Sequence, residues 1–165
     1  MDVEPELRAT LDELAIRRLQ AAYGDVVTRQ AWDELPAMFL PGCPITLDLR
    51  DGRVIEQVGA EAIGAFIAAS IERFEFFEFA LLNSVVDVRG DEATGRLYMW
   101  ELRQDTSNHR WSNAFGLYSD DYRRVGGRWV FAARRYSSLA RTAPDGEGME
   151  VFSVPAITAA GDAQT

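Results

Sequence analysis

At 165 residues, with 47% hydrophobic and 26% charged side chains, the chain has the length and balance of one globular domain. A net charge of −9 argues against nucleic acid, whose phosphates need a basic face, and no apolar run approaches the ~18 residues of a membrane helix. The acidic N-terminus lacks the basic start and apolar core of a secretory leader, so a cytoplasmic location is expected.

Every one of the 17 basic residues is Arg. Schiff-base chemistry and a lysine general base are therefore excluded. The single Cys, Cys43, cannot form an internal disulfide; following Pro41-Gly42 at a turn, it reads as a small buried thiol. With one His, His109, no multi-His metal site can be built, and no Cys/His cluster has ligand spacing.

Residues 6–30 read as a long helix. Leu7, Leu11, Leu14, Ala15, Leu19, Ala22, Tyr23 and Val26 fall on one stripe, with Arg17, Arg18 and Gln20 opposite. A shorter helix over 31–40 stops at Pro41-Gly42. Ile45, Leu47 and Leu49 alternate with Thr46, Asp48 and Arg50 as in a strand, Asp51-Gly52 marks a hairpin turn, and 53–57 return. A third helix over 60–74 presents Ile63, Phe66, Ile67, Ser70, Ile71 and Phe74.

Strand periodicity then takes over in segments 77–88, 92–105, 109–125 and 128–139, separated by polar or Gly-rich turns, which predicts an antiparallel meander. Residues 1–141 are thus expected to form one α+β domain, a curved antiparallel sheet wrapped around three N-terminal helices. Such a cone encloses a pocket at its open end. Residues 142–165 form a tail whose stretch 149–154 is apolar enough to dock, with the last residues disordered.

This order of elements resembles the nuclear-transport-factor-2-like fold and, within it, the SnoaL-like group. The resemblance rests on Ile16-Arg17-Arg18-Leu19-Gln20-Ala21-Ala22-Tyr23, on Trp32-Asp33-Glu34-Leu35 with Met38-Phe39, and on the hairpin Tyr122-Arg123-Arg124-Val125-Gly126-Gly127-Arg128-Trp129-Val130-Phe131. It covers roughly residues 10–140. The group includes dehydratases, isomerases, epoxide hydrolases, cyclases and non-catalytic binders, so the resemblance implies a fold more than a reaction. Its dehydratases and dehydrochlorinase pair an Asp late in the first helix with a His on the first long strand. The matching positions here hold Thr28 and Asn83. A hydroxyl and an amide can hold a ligand but cannot abstract a proton near neutral pH, so that standard dyad mechanism is excluded.

Other polar groups remain. Tyr23 lies on the apolar stripe of the first helix, either donating to a substrate oxygen, as the resemblance implies, or packing as a core phenol. The resemblance also implies an inward acid at Glu101; there burial would make it an acid or base, unless it pairs with Arg103 or Arg134 or faces solvent. Asp48 matches the strand on which the steroid isomerases carry their proton-shuttling Asp, although its alternation with apolar residues points it outward. Arg134 matches an inward Arg of the dehydrochlorinases and would bind an anion or leaving group, although strand alternation alone lets either Arg134 or Arg135 point inward. Asn113 and Ser119 share a parity with Phe115 and Leu117 and are candidate pocket groups, while His109 opens a strand after a polar turn and is expected to be exposed.

The resulting expectation is a cofactor-free, metal-free acid–base enzyme of lyase or isomerase type acting on a small apolar polycyclic or terpenoid metabolite. Glu101 and Tyr23 would be catalytic, with Asn83, Arg134, Asn113, Asp48 and Thr28 binding ligand. The alternative is a non-catalytic ligand-binding or dimeric module that has lost the dyad. Outward aromatics around Phe74–Phe79 suit a homo-oligomer, a dimer or trimer, with no nucleic-acid or membrane partner.

Overall fold

The structure, a computed structural model, describes residues 3–156. Helix α1 (Val3–Arg29) carries Glu4 and Glu6 in its first turn and Arg29 in its last, charges that suit the helix dipole. Gln30, at φ 58°, ends it in the left-handed conformation. The buried face is Asp12, Ile16, Gln20, Tyr23 and Val27, spaced at three and four residues. This corrects the sequence reading, because Leu7 and Leu11 are each 55% exposed on the opposite side, whereas Gln20 is buried. Leucines at helical spacing mark an apolar stripe but not which stripe the sheet covers.

The expected second helix is a 3₁₀ segment, Trp32–Ala37, with Pro36 inside it. Beyond it the chain is captured by a strand edge: the Phe131 amide donates to the Met38 carbonyl and the Leu40 amide to the Phe131 carbonyl. A hairpin follows, β1 (Pro44–Asp48) and β2 (Val54–Val58), then α2 (Gly59–Ile71). Four long strands complete the domain: β3 (Phe74–Arg89), β4 (Glu92–Asp105), β5 (Trp111–Val125) and β6 (Arg128–Thr142).

The sheet runs β2-β1-β6-β5-β4-β3. It is mixed rather than wholly antiparallel, since β1 lies parallel to β6 with Ile45 opposite Arg134 and Leu47 opposite Tyr136. That pairing is long-range and leaves no turn signal in the sequence. Register shifts at Phe74/Phe76, Leu81/Asn83, Phe115/Gly116 and Asp121/Tyr122 bend the long strands. The sheet therefore curves over α1 and α2 without closing.

The tail adds β7 (Met149–Val151), which pairs with the end of β6. The Phe152 amide donates to the Leu139 carbonyl, and Arg50 Nη2 donates to the Ser153 carbonyl. The tail thus contacts the domain up to Ser153; the disorder expected of the last residues falls outside the described residues. Cys43 is buried just before β1, its carbonyl accepting from the Gly59 amide. Among the described residues no helix is long and apolar enough to cross a membrane.

Candidate functional site

Curvature leaves a cavity of about 240 Å³ between α2 and the concave face of the sheet. Ile63, Phe66, Ile67, Ser70 and Ile71 of the apolar face read from the sequence line it from α2; the helix ends at Ile71, short of the expected 74, and Phe74 lines it from the start of β3. Ile45, Leu47 and Leu49 form a second wall. On β5 the inward residues are Ala114, Gly116, Tyr118 and Asp120, whose small members make room for larger neighbours. A Cβ on Gly116 would fall on the Tyr136 ring.

The floor is a buried ion pair. Arg134, 1% exposed, donates through Nε to Asp120 Oδ1 (3.0 Å) and through Nη2 to Oδ2 (3.2 Å), while its Nη1 finds no acceptor. The rings of Tyr118, Tyr23 and Phe131 enclose the guanidinium at 3.9, 4.0 and 4.3 Å. Behind Asp120 runs a directed chain of hydrogen bonds. The Ser84 hydroxyl donates to Gln20 Oε1 (2.8 Å), Gln20 Nε2 to the Tyr122 hydroxyl (2.8 Å), and that hydroxyl to Asp120 Oδ2 (3.0 Å). Asp120 therefore accepts three bonds.

Burial acts to lower the pKa of Arg134, but Asp120 and the surrounding phenols outweigh it and hold the guanidinium above its ordinary value. Burial likewise pushes the Asp120 carboxyl upward, against Arg134 and two hydrogen bonds.

The rim carries a different pair. Glu101 and Arg103 are two apart on β4, continuing the inward parity of Ala93, Leu97 and Met99. Arg103 Nη1 stands 3.6 Å from Glu101 Oε2, too far for a hydrogen bond. Glu101 keeps 23% of its side chain exposed, as a group on the wall of an open cavity would. Burial raises its pKa and Arg103 opposes the rise. Tyr23 and Tyr118 interact at the cavity floor, and burial raises both phenols while Arg134 draws them down.

Of the residues singled out in the sequence, Tyr23, Glu101 and Arg134 come together here. The others lie elsewhere. The bulge at Leu81/Asn83 turns Asn83 out of the cavity wall, into a small exposed crevice with Arg17 and Gln20. Thr28 uses its hydroxyl to accept from the Phe79 amide on edge strand β3. Asp48 projects away from the cavity and pairs with Arg50 at 3.2 Å. Asn113 accepts from Trp100 Nε1 on the outer sheet face, since β5 points Ala114 inward instead. His109 sits at an exposed turn, Nδ1 2.6 Å from Glu75 Oε1.

Sequence reasoning missed Asp120, Tyr118 and Gln20, while Arg103, one of the two partners it offered Glu101, is the one that stands beside it. The alternation Tyr118-x-Asp120-x-Tyr122, facing Arg134 across the β5–β6 pair, was the available signal. Among the described residues no cluster of His, Cys, Asp and Glu could hold a metal ion.

A SnoaL-like domain matches residues 8–135. The chain belongs to the SnoaL-like family. No curated protein matches the sequence. Among solved structures it is similar to a proposed scytalone dehydratase of Novosphingobium aromaticivorans (21% identity, 96% of this chain and 99% of that one, TM-score 0.69). It is also similar to LinA (18% identity, 91% and 99%, TM-score 0.72). A third is the hexachlorocyclohexane dehydrochlorinase LinA-type3 of Novosphingobium barchaimii LL02 (14% identity, 93% and 99%, TM-score 0.70). At these identities the likeness shows a shared SnoaL-like fold, and the chemistry has to be argued from the cavity itself.

Proposed function

We propose that this SnoaL-like protein is a cofactor-independent acid–base enzyme. It would act on a small, largely apolar polycyclic or terpenoid molecule by isomerisation, elimination, hydration or cyclisation. One observation carries the reading: a carboxyl, Glu101, on the cavity wall, with its pKa raised by burial. Glu101 is the proton carrier. Tyr23, with Tyr118 beside it, donates to the substrate oxygen on which negative charge develops. Arg134 lies 4.0 Å from the Tyr23 ring and favours that charge through its field. Asn83, Asn113, Asp48 and Thr28 point elsewhere and are left out of the mechanism.

The test needs no knowledge of the natural substrate. Proton transfer to carbon in D₂O leaves deuterium in the substrate, so a panel of enones and β-hydroxy ketones can be screened by mass spectrometry. Glu101→Gln is expected to slow exchange by roughly 10²–10⁴-fold. Exchange that survives this change at the wild-type rate would exclude Glu101 as the proton carrier.

The neutral groups at Thr28 and Asn83 favour a second reading, a ligand-binding module without chemistry. It would be supported if panel members bind and none exchanges. In either case we place the protein in the cytoplasm as a homo-oligomer, a dimer or trimer, formed through the outer sheet face. There Trp100 stacks on Phe115 with ring centroids 6.2 Å apart. Light scattering measures that assembly, and a monomer at all concentrations would refute it.

A further inference from the structure

Three guanidiniums contribute to the cavity wall, and they differ in how completely they are matched. Arg134 is held by both Asp120 oxygens and is 1% exposed. Arg141 donates to Glu150 Oε2 (2.7 Å) and to the Leu49 carbonyl (2.8 Å). Arg103 has neither arrangement. Its anionic neighbour among the described residues is Glu101 at 3.6 Å, its Nε is buried without a partner, and 21% of its side chain stays open. The Phe74 ring centroid lies 5.3 Å from its guanidinium carbon, a flat surface against which the fork packs.

We propose that Arg103 anchors an anionic group of the ligand, so that the cavity selects apolar monocarboxylates over neutral molecules of the same shape. The inference rests on the small-molecule reading of the cavity and adds the substrate class to it. Its physical basis is charge matching. Arg134 with Asp120 and Arg141 with Glu150 are each neutral as pairs. Glu101 stands 3.6 Å from Arg103 without a hydrogen bond, which leaves the Arg103 guanidinium incompletely matched on a mainly apolar wall. A ligand carboxylate supplies the missing acceptors, with charge-assisted hydrogen bonds to the guanidinium fork. Once it is held at the rim, the apolar body extends over Ile67 and Leu47 towards Tyr23 and Tyr118, where the reacting oxygen would lie.

Calorimetric titration with 2-naphthoate and its neutral isostere 2-naphthamide tests this. The wild type is expected to prefer the acid by about tenfold or more, the scale of one charge-assisted hydrogen bond. Arg103→Gln should remove that preference while leaving the amide's affinity unchanged, and Arg103→Lys should restore most of it. Equal affinity for both probes, or a preference that persists in Arg103→Gln, overturns the anchor and leaves the cavity reading intact. If neither probe binds, both inferences fall. Glu101→Gln separates the two in the other direction, since it should abolish deuterium exchange yet keep the preference for the acid.

Discussion

The floor and the rim of the cavity hold the same kind of pair, a guanidinium with a carboxylate, under opposite conditions. At the floor, Arg134 and Asp120 meet through two hydrogen bonds, enclosed by aromatic rings and backed by Tyr122 and Gln20. At the rim, Glu101 and Arg103 face each other at 3.6 Å and stay partly open. A charge locked into a two-point pair is committed to structure, and its removal is felt in stability. A charge left short of its bonds beside an open cavity is available to a ligand, and its removal is felt in binding and turnover. The two β4 residues, not the deeper pair, are therefore the adaptable part of this interior.

Breaking the floor should have the largest effect on stability. Asp120→Asn leaves Arg134 buried beside a neutral amide, with an expected loss of about 3–5 kcal/mol in urea unfolding. A loss below ~1 kcal/mol would mean that water or another anion can satisfy the guanidinium. Tyr122→Phe removes one of Asp120's three donors and orphans Gln20 Nε2, for an expected loss of about 1–3 kcal/mol. If Ser84 and Gln20 matter only through this chain, Gln20→Leu added to Tyr122→Phe should cost much less than it does alone.

The rim should respond with the opposite sign. Burial raises the folded-state pKa of Glu101, so below the ordinary carboxylate range both folded and unfolded chains hold the proton and the residue is indifferent. As pH rises the unfolded chain releases its proton first, and stability falls until the folded carboxyl has ionised as well. Glu101→Gln escapes that loss. Its melting temperature is expected to exceed the wild type's by a few degrees at neutral pH, with the gap closing in acid. A variant that melts lower at neutral pH would show that the Arg103 pairing outweighs burial.

Local periodicity made the helices, the β1–β2 hairpin and the four long strands legible, because each element repeats its apolar residues at its own spacing. The α2 face was read correctly down to Ser70, since a single helix against a single sheet has one covered side. What escaped depends on pairing between distant segments. The parallel seam between β1 and β6 has no local mark, and the parity of β5 was inverted because Leu117 is buried on the outer face. Asp120 reads as a surface residue beside Asp121 until Arg134 is set opposite it. Gln20, polar and flanked by arginines and alanines, gives no hint that a phenol from β5 waits for its amide. The bulge that removes Asn83 from the wall is likewise invisible to a period-two count.

Cys43 gives the experimenter an internal clock. It is the chain's one thiol, buried behind the wall formed by β1, and burial pushes its pKa up to about 11. A disulfide reagent can reach it only when that wall opens, and a thiol so reluctant to ionise reacts slowly unless the opening is wide. The rate of labelling in the native protein thus counts excursions of the β1–β6 seam. A ligand that fills the cavity should slow that count without touching the cysteine at all.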